Sequence, residues 1–408
     1  MKTNRNYFLL LASQFLSAFG VQAALFVILG QLTFKHNAGL ITSKQLNIAN
    51  ALYACLLYLS YVGFAPLAGF LNDRFSKTRW LLGGNLISLI GVGILALSLL
   101  GQPFWQVIGY FVVGLGACIF SPAKYGILPE ILPTERLVKA NGTIEMLTLV
   151  AILSGIIGGA RMVENLSVAA CYGLLALVFA LGLTLNFFMD KTPFKPDVQL
   201  RASTREFFQH FKNLMSKGRF TKMLFGTAIF WGCGATLKTN FQAWGLSTLG
   251  MTSNVDISLL NLWLMIGIVI GSILAGQLHR VGDLRWTQRY GWGLASLILL
   301  VGLVGRQTHH TLIVSVLILA GACGGLFLIP LNAALQAETD QTKLGKTIAV
   351  QNFINNIAML FGGGFIYLAT KSNSTPSRNF LILGVLVAAL ICLLRIPPLP
   401  QTQVKGEL

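Results

Sequence analysis

Phe104-Trp-Gln-Val-Ile-Gly-Tyr-Phe-Val-Val-Gly-Leu-Gly-Ala-Cys-Ile-Phe-Ser-Pro-Ala-Lys124 runs for about twenty residues without a charge before it ends on a lysine. A helix of that length crosses a hydrocarbon core of roughly 30 Å. Inside lipid, a helix also satisfies every backbone N–H and C=O within one segment. Outward from this stretch, apolar blocks of similar size recur at 7–31, 46–71, 80–100, 138–160, 166–189, 219–247, 255–279, 287–305, 311–336, 345–370 and 379–396. The pattern predicts an all-α membrane protein with twelve transmembrane helices. A signal peptide or a single anchor accounts for one block and leaves the others unexplained. Composition agrees, since 54% of the 408 residues are hydrophobic and 11% are charged, against roughly 25% charged in a soluble domain.

The formal net charge of +17 would suggest nucleic acid in a soluble chain. Here the cations gather in the short segments between apolar blocks, as the positive-inside rule requires. With both termini cytoplasmic, 22 Lys and Arg residues fall on the cytoplasmic side and 6 on the other, which sets the expected orientation in a bacterial inner membrane. Cys55, Cys118, Cys171, Cys233, Cys323 and Cys392 stand singly in apolar stretches with no C-x-x-C spacing, so neither disulfides nor metal ligands are expected. No cofactor is expected either.

The longest polar stretch, 190–218, separates six blocks from six and reads as a cytoplasmic linker between an N-terminal half, 1–189, and a C-terminal half, 219–408. Within it Phe207, Phe208, Phe211, Leu214 and Met215 fall at helical spacing among Arg205, Gln209, Lys212 and Lys217. Two readings stand: an amphipathic helix on the anionic leaflet, or a solvated linker helix. An internal repeat supports two halves. Phe120-Ser-Pro122-Ala-Lys124 through Glu130 aligns with Leu328-Ile-Pro330-Leu-Asn332 through Glu338 at an offset of 208, and Gly69-Phe-Leu echoes Gly276-Gln-Leu at 207.

Gly69-Phe-Leu-Asn-Asp73-Arg74-Phe-Ser-Lys77-Thr-Arg79 resembles the G-x-L-x-D-R loop signature of the major facilitator superfamily, whose plan is two six-helix halves in parallel repeat. A glycine there lets a neighbouring helix approach, while an acid and cations latch helix ends, so Gly69, Asp73, Arg74 and Arg79 are the expected gating residues. A narrower resemblance lies in Phe120-Ser-Pro-Ala-Lys-Tyr-Gly-Ile-Leu-Pro-Glu130 and Leu137-Val-Lys-Ala-Asn-Gly142, with Ser17-Ala-Phe-Gly20, Phe230-Trp-Gly232, Pro330-Leu-Asn332 and Ile348-Ala-Val-Gln-Asn352. These resemble the lysophospholipid transporter family, flippases that bring lysophospholipids such as lysophosphatidylethanolamine and lysophosphatidylglycerol to the inner leaflet for reacylation. The resemblance implies alternating access, and an acyltransferase as functional partner. Two positions depart from the family: Val21-Gln22 stands where Asp-Asn is usual, and Lys238 where the family carries arginine. The first removes an acid through which a cation could couple, and the second keeps the charge but loses bidentate phosphate geometry.

Ionisable groups deep in membrane spans are costly and usually functional, and Lys124, Glu145 and Lys238 stand out. Lys238, with Thr236, Asn240 and Gln242 around it, is placed to take a lipid phosphate from the outer leaflet or to snorkel to the outer interface. Lys124 and Glu145, with Asn141 one turn before the acid, form either a phosphate and amine site on the cytoplasmic side or a structural pair. Gln351, Asn352, Asn355 and Asn356 share one helical face, and line the pathway or bond neighbouring helices. Gln22, Asn332 and Gln336 are weaker candidates of the same kind, and Trp231 packs against an acyl chain or against its own bundle.

The rival transporter is a proton-coupled exporter of amphipathic drugs. That group carries Gly-x-x-x-Gly-Pro in span five, whereas Gly155-Ile-Ile-Gly158-Gly159 has no proline. A membrane acyltransferase would need a His-x-x-x-x-Asp pair, and His279 to Asp283 is one residue short. No constellation of nucleophile, base and oxyanion donor can be assembled, so no enzyme is expected.

Overall fold

The computed structural model describes residues 2–193, 199–251, 254–305, 307–340 and 343–397. Of the cations counted for orientation, Lys195, Arg306 and Lys405 lie outside the described residues, as does the C-terminal end of the expected second half. The helices are Lys2–Asn37 (α1), Ser43–Arg74 (α2), Lys77–Ala96 (α3), Phe104–Gly126 (α4), Leu128–Ile131 (α5), Leu137–Asn165 (α6), Val168–Phe187 (α7), Leu200–Ser216 (α8), Gly218–Ser247 (α9), Asn254–Leu278 (α10), Thr287–Leu303 (α11), His310–Glu338 (α12), Leu344–Lys371 (α13) and Pro376–Leu393 (α14). Apart from the one-turn α5 and the linker helix α8, twelve long helices remain among the described residues, each on an apolar block expected from the sequence. Ten are long and apolar enough to cross a membrane. The other two are α11, of 17 residues, and α9, whose apolar run is diluted by Lys222, Thr236, Lys238 and Asn240. Twelve crossings return the chain to the side where it began, the near side.

Starts and stops follow local chemistry. The Thr42 side chain accepts from the Gln45 amide while Gln45 answers Thr42, closing a capping box on α2. Ser167 and Thr375 cap α7 and α14, their hydroxyls accepting from the backbone N–H of Ala170 and Arg378. Pro122 in α4 and Pro330 in α12 occupy the repeat-related register, each freeing a carbonyl one turn back.

The chain forms two compact units. The first comprises Met1–Leu132, Leu147–Gln209 and Gln341–Phe353. Its far-side core gathers Val21, Ala24 and Val27 of α1, Tyr53 of α2, Tyr110 and Val113 of α4, and Tyr172 and Phe179 of α7. Helices α3 and α4 touch backbone to backbone, since a methyl group on Gly84 would lie 2.8 Å from the Gly116 carbonyl oxygen. Small residues at such contacts supply the packing that drives association in lipid. The second unit comprises Pro133–Met146, His210–Asp340 and Ile354–Leu408. There α10 and α12 pack equally closely, with Gly325 of α12 placed so that a methyl group would meet the Ile268 carbonyl oxygen at 2.6 Å. Helices α6 and α13 each contribute their near-side end to one unit and the remainder to the other.

Candidate functional site

At the near-side end of α2, Gly69 admits α13: a methyl group there would lie 3.2 Å from the Ala349 Cβ and 3.4 Å from the Lys346 Cα. One turn on, the buried Asp73 carboxylate lies against the backbone amides of Gly345 and Lys346, the first turn of α13. A carboxylate is favoured at a helix N-terminus, where unpaired N–H groups and the macrodipole present positive charge. Lys346 Nζ is 3.8 Å from Asp73 Oδ2 and 2.6 Å from Glu206 Oε2 of α8. Beside this set, Lys77 pairs with Glu130, both largely buried. Arg74 stacks between Phe70 and Phe75, at 5.7 and 5.3 Å from their ring centres. Arg79 is exposed and belongs to none of the ion pairs among the described residues.

The second unit repeats the backbone contact. A methyl group on Gly276 of α10 would lie 3.1 Å from the Lys139 Cα of α6. One turn further along α6, a methyl group on Gly142 would meet the Ser272 carbonyl oxygen at 2.6 Å. Asn141 and Gln336 exchange two hydrogen bonds, Asn141 Nδ2 donating to Gln336 Oε1 at 2.9 Å and Gln336 Nε2 to Asn141 Oδ1 at 2.8 Å. Both are about 1% exposed, so here the two expected site amides satisfy each other. Glu145, one turn past Asn141, is equally buried, and Asn332 of α12 is buried as well. On the near side Arg219 grips both oxygens of Glu338, each at 2.7 Å.

Lys238 owes its position to the helices around α9. On one flank Phe230 lies against Gly324 of α12; on the other, Gly232 and Thr236 lie against Ala358 and Gly362 of α13. Behind, Asn240 donates to the Pro376 carbonyl at 2.8 Å and accepts from Asn379 at 3.1 Å, while Trp244 meets Phe380 edge-on at 5.4 Å. The opposite side of α9 carries Trp231, Gly234, Lys238 and Gln242. Lys238 and Gln242 are exposed, and Trp231 is half-buried and edge-on to Phe230. A methyl group on Gly234, one turn from Lys238, would meet nothing within 4 Å. Lys238 lies about 30 Å along the helix from Gly218. Among the described residues, no ion pair includes it.

The α13 amides serve different neighbours. In the first unit Asn352 donates to Ser121 Oγ of α4 at 3.0 Å, and Gln351 is buried. In the second, Asn355 accepts from Thr227 of α9 at 3.0 Å, and Asn356 is buried. Lys124, buried at the end of α4 in the first unit, sets its ammonium 4.4 Å above the Tyr125 ring. Gln22 faces Gly155 of α6, and its Oε1 is buried without a hydrogen-bond partner among the described residues. In the sequence Lys346 and Arg219 stand only among the cations that set orientation, and Lys77 among the cations of the loop signature. The signal that could have found two of them was the repeat itself, since Glu130 and Glu338 stand 208 residues apart and each holds one cation.

The sequence matches the profile of the Major Facilitator Superfamily over residues 10–363. The lysophospholipid transporter LplT of Enterobacter sp. (strain 638) is 35% identical over 367 residues, 88% of each chain. That of Photorhabdus laumondii is 35% identical over 398 residues, 93% of this chain and 92% of its own, and that of Klebsiella pneumoniae is 32% identical over 94% of both. Among solved structures, the human organic anion transporter MFSD10 superposes with a TM-score of 0.81 at 13% identity, over 97% of this chain and all of that one. The Escherichia coli fucose:proton symporter FucP gives 0.72 at 14% identity, over 97% and 98%. Those distant structures share the fold, and the profile and the nearer relatives carry the kinship: this chain belongs to the Major Facilitator Superfamily and, within it, to the lysophospholipid transporter family.

Proposed function

We propose that the chain is a transporter, and not an enzyme, that moves lysophospholipids from the outer to the inner leaflet of a bacterial inner membrane by alternating access. The near side is then cytoplasmic, with two six-helix halves, 1–189 and 219–408, joined by the linker 190–218. Relatives named as lysophospholipid transporters over about nine-tenths of the chain support this substrate class. The observation that carries it is Lys238, an exposed cation in the outer half of α9, one turn from the open space at Gly234. An ammonium held there with no carboxylate partner among the described residues is matched by a lipid phosphate. The acyl chain needs only an apolar surface, which Trp231 and its neighbours offer. Lys124 receives the phosphate on the cytoplasmic side, and Glu145 meets the amine of an ethanolamine head group. Asn141, Gln336, Asn352 and Asn355 line the route when their present bonds open, and Gln22, Asn332, Gln351 and Asn356 line it with them. Gly69, Asp73, Arg74 and Arg79 gate it. The product feeds an acyltransferase, which consumes it and draws the flow inward.

The test is transport of labelled lysophosphatidylethanolamine in vesicles holding the purified protein, with a panel of amphipathic drugs beside it. Lys238→Ala is expected to cut flux about tenfold or more, the loss of one charge-assisted contact, with unchanged protein yield. Undiminished flux in that variant removes Lys238 from the mechanism. Drug efflux without lysophospholipid movement in the parent protein would favour the exporter.

A further inference from the structure

Helix α8 is not one of the twelve spans, yet it is fixed to the first unit by both charge and packing. Phe207 is fully buried and meets Phe353 of α13 edge-on, at 6.2 Å between ring centres. Its neighbour Phe208 stays exposed, so α8 turns one chosen side toward the protein. Glu206 reaches Lys346, the third residue of α13, at 2.6 Å.

A cation in the first turn of a helix opposes the macrodipole, and a buried ammonium needs acids to stay charged. Two acids compete for Lys346: Asp73 at 3.8 Å and Glu206 at 2.6 Å. The ammonium has gone to the linker, and Asp73 Oδ2 has no hydrogen-bond partner among the described residues. The Lys77–Glu130 and Lys346–Glu206 pairs also differ in kind. Lys77 and Glu130 have side chains 7% and 13% exposed, and separating such a pair would strand a charge out of water. Glu206 is 54% exposed, so its pair opens into solvent at little cost. A contact that must break in every cycle has to be of the second kind.

We propose that Glu206 is a positioning residue of the near-side gate: through Lys346 and the Phe207–Phe353 contact, α8 clamps the first turns of α13 onto α2, and the gate opens when α8 lets go. The clamp depends on the transport reading above only for its flux readout. Two experiments decide it, in protein whose exposed Cys55 and Cys392 are replaced by serine. In the first, a reporter cysteine at the buried position Ser121 of α4 is alkylated from the near side, with and without Glu206→Gln. The clamp predicts alkylation about threefold faster in the variant, the effect of losing one half-exposed pair. An unchanged rate overturns it. In the second, the pair Phe207→Cys and Phe353→Cys is oxidised to tether α8. Lysophospholipid flux is expected to stop and to return on reduction, and flux that continues through the tethered protein overturns the clamp. Alkylation needs no substrate, so a parent protein that moves no lysophospholipid would defeat the transport reading while the alkylation rates still judged the clamp.

Discussion

Gly69 and Gly276 stand 207 residues apart, and so do the lysines whose backbones they face, Lys346 and Lys139. The two contacts are repeats of one design, and they differ in charge. Four residues beyond Gly69 comes Asp73, seated at the first turn of α13. Four beyond Gly276 comes Arg280, exposed, and neither it nor Lys139 joins an ion pair among the described residues. Both contacts keep the glycine, so close backbone approach is the shared requirement and the acid is an addition to one of them. The second contact is instead reinforced by packing, through Gly142 against Ser272 and through the reciprocal Asn141 and Gln336 amides. One contact can be loosened by changing a charge, and the other only by changing shape.

The sharpest way to break that comparison is to add volume to each. Gly142→Val sets a branched side chain where a single methyl group would already stand 2.6 Å from a backbone oxygen. Overpacking of this kind costs about 1–3 kcal/mol, and here backbone has to move. Thermal unfolding in detergent is expected to show that loss, together with a fall in flux of about tenfold or more. Gly69→Val meets the Ala349 methyl group at 3.2 Å, a neighbour that yields more easily, and is expected to do less. If Gly69→Val is the more damaging of the two, packing is not what distinguishes the second contact.

The apolar blocks alone decided the twelve helices, because in lipid a span of about twenty residues has no alternative but a helix. The acid of the loop signature was also legible, since Asp73 lies where an acid four residues after a close-contact glycine has to lie. Its partner was not. Lys346 is 273 residues away on another helix, and a lysine at a span end reads first as a topology charge. The same holds for Asn141 and Gln336: each was a candidate polar residue inside a span, but nothing in one sequence states that two amides 195 residues apart exchange hydrogen bonds. The seating of Phe207 and the exposure of Phe208 were hidden for a different reason, since adjacent aromatics on an amphipathic helix do not say whether lipid or protein covers them.

Charge provides the second way to sharpen the comparison. Asp73→Asn keeps the shape and removes the anion from the α13 N-terminus, a loss of about 1 kcal/mol. Near-side alkylation of a cysteine at Ser121 is expected to rise about fivefold, with yield unchanged. The converse variant, Arg280→Asp, gives the second contact the acid it lacks and is expected to slow flux about twofold by holding that contact longer. Should Arg280→Asp instead speed transport, the repeat would not assign position 280 the role that Asp73 has in the first half.

The smallest effect concerns the acid that the second half does keep, out of register. Asp283 accepts from its near neighbour Arg285, at 2.9 Å from Nε and 3.3 Å from Nη2, in the segment between α10 and α11. The Arg285 hydrogen bond holds this carboxyl below its ordinary value of about 3.8, with burial opposing it. Because the folded value is the depressed one, the pair's contribution is fully present above the unfolded value. It falls away as pH drops through the folded value, when protonation of the native carboxylate removes the bond. Arg285 lies in solvent, so the gain is small and screened by salt. Asp283→Asn is expected to lower the melting temperature by about 1 °C at pH 7, and the difference from the parent protein should close as pH falls below about 4. A larger drop at neutral pH, one that resists high salt, would mean that Asp283 supports the α10 and α6 contact after all, and the contrast between a charged contact and a packed one would then be one of degree.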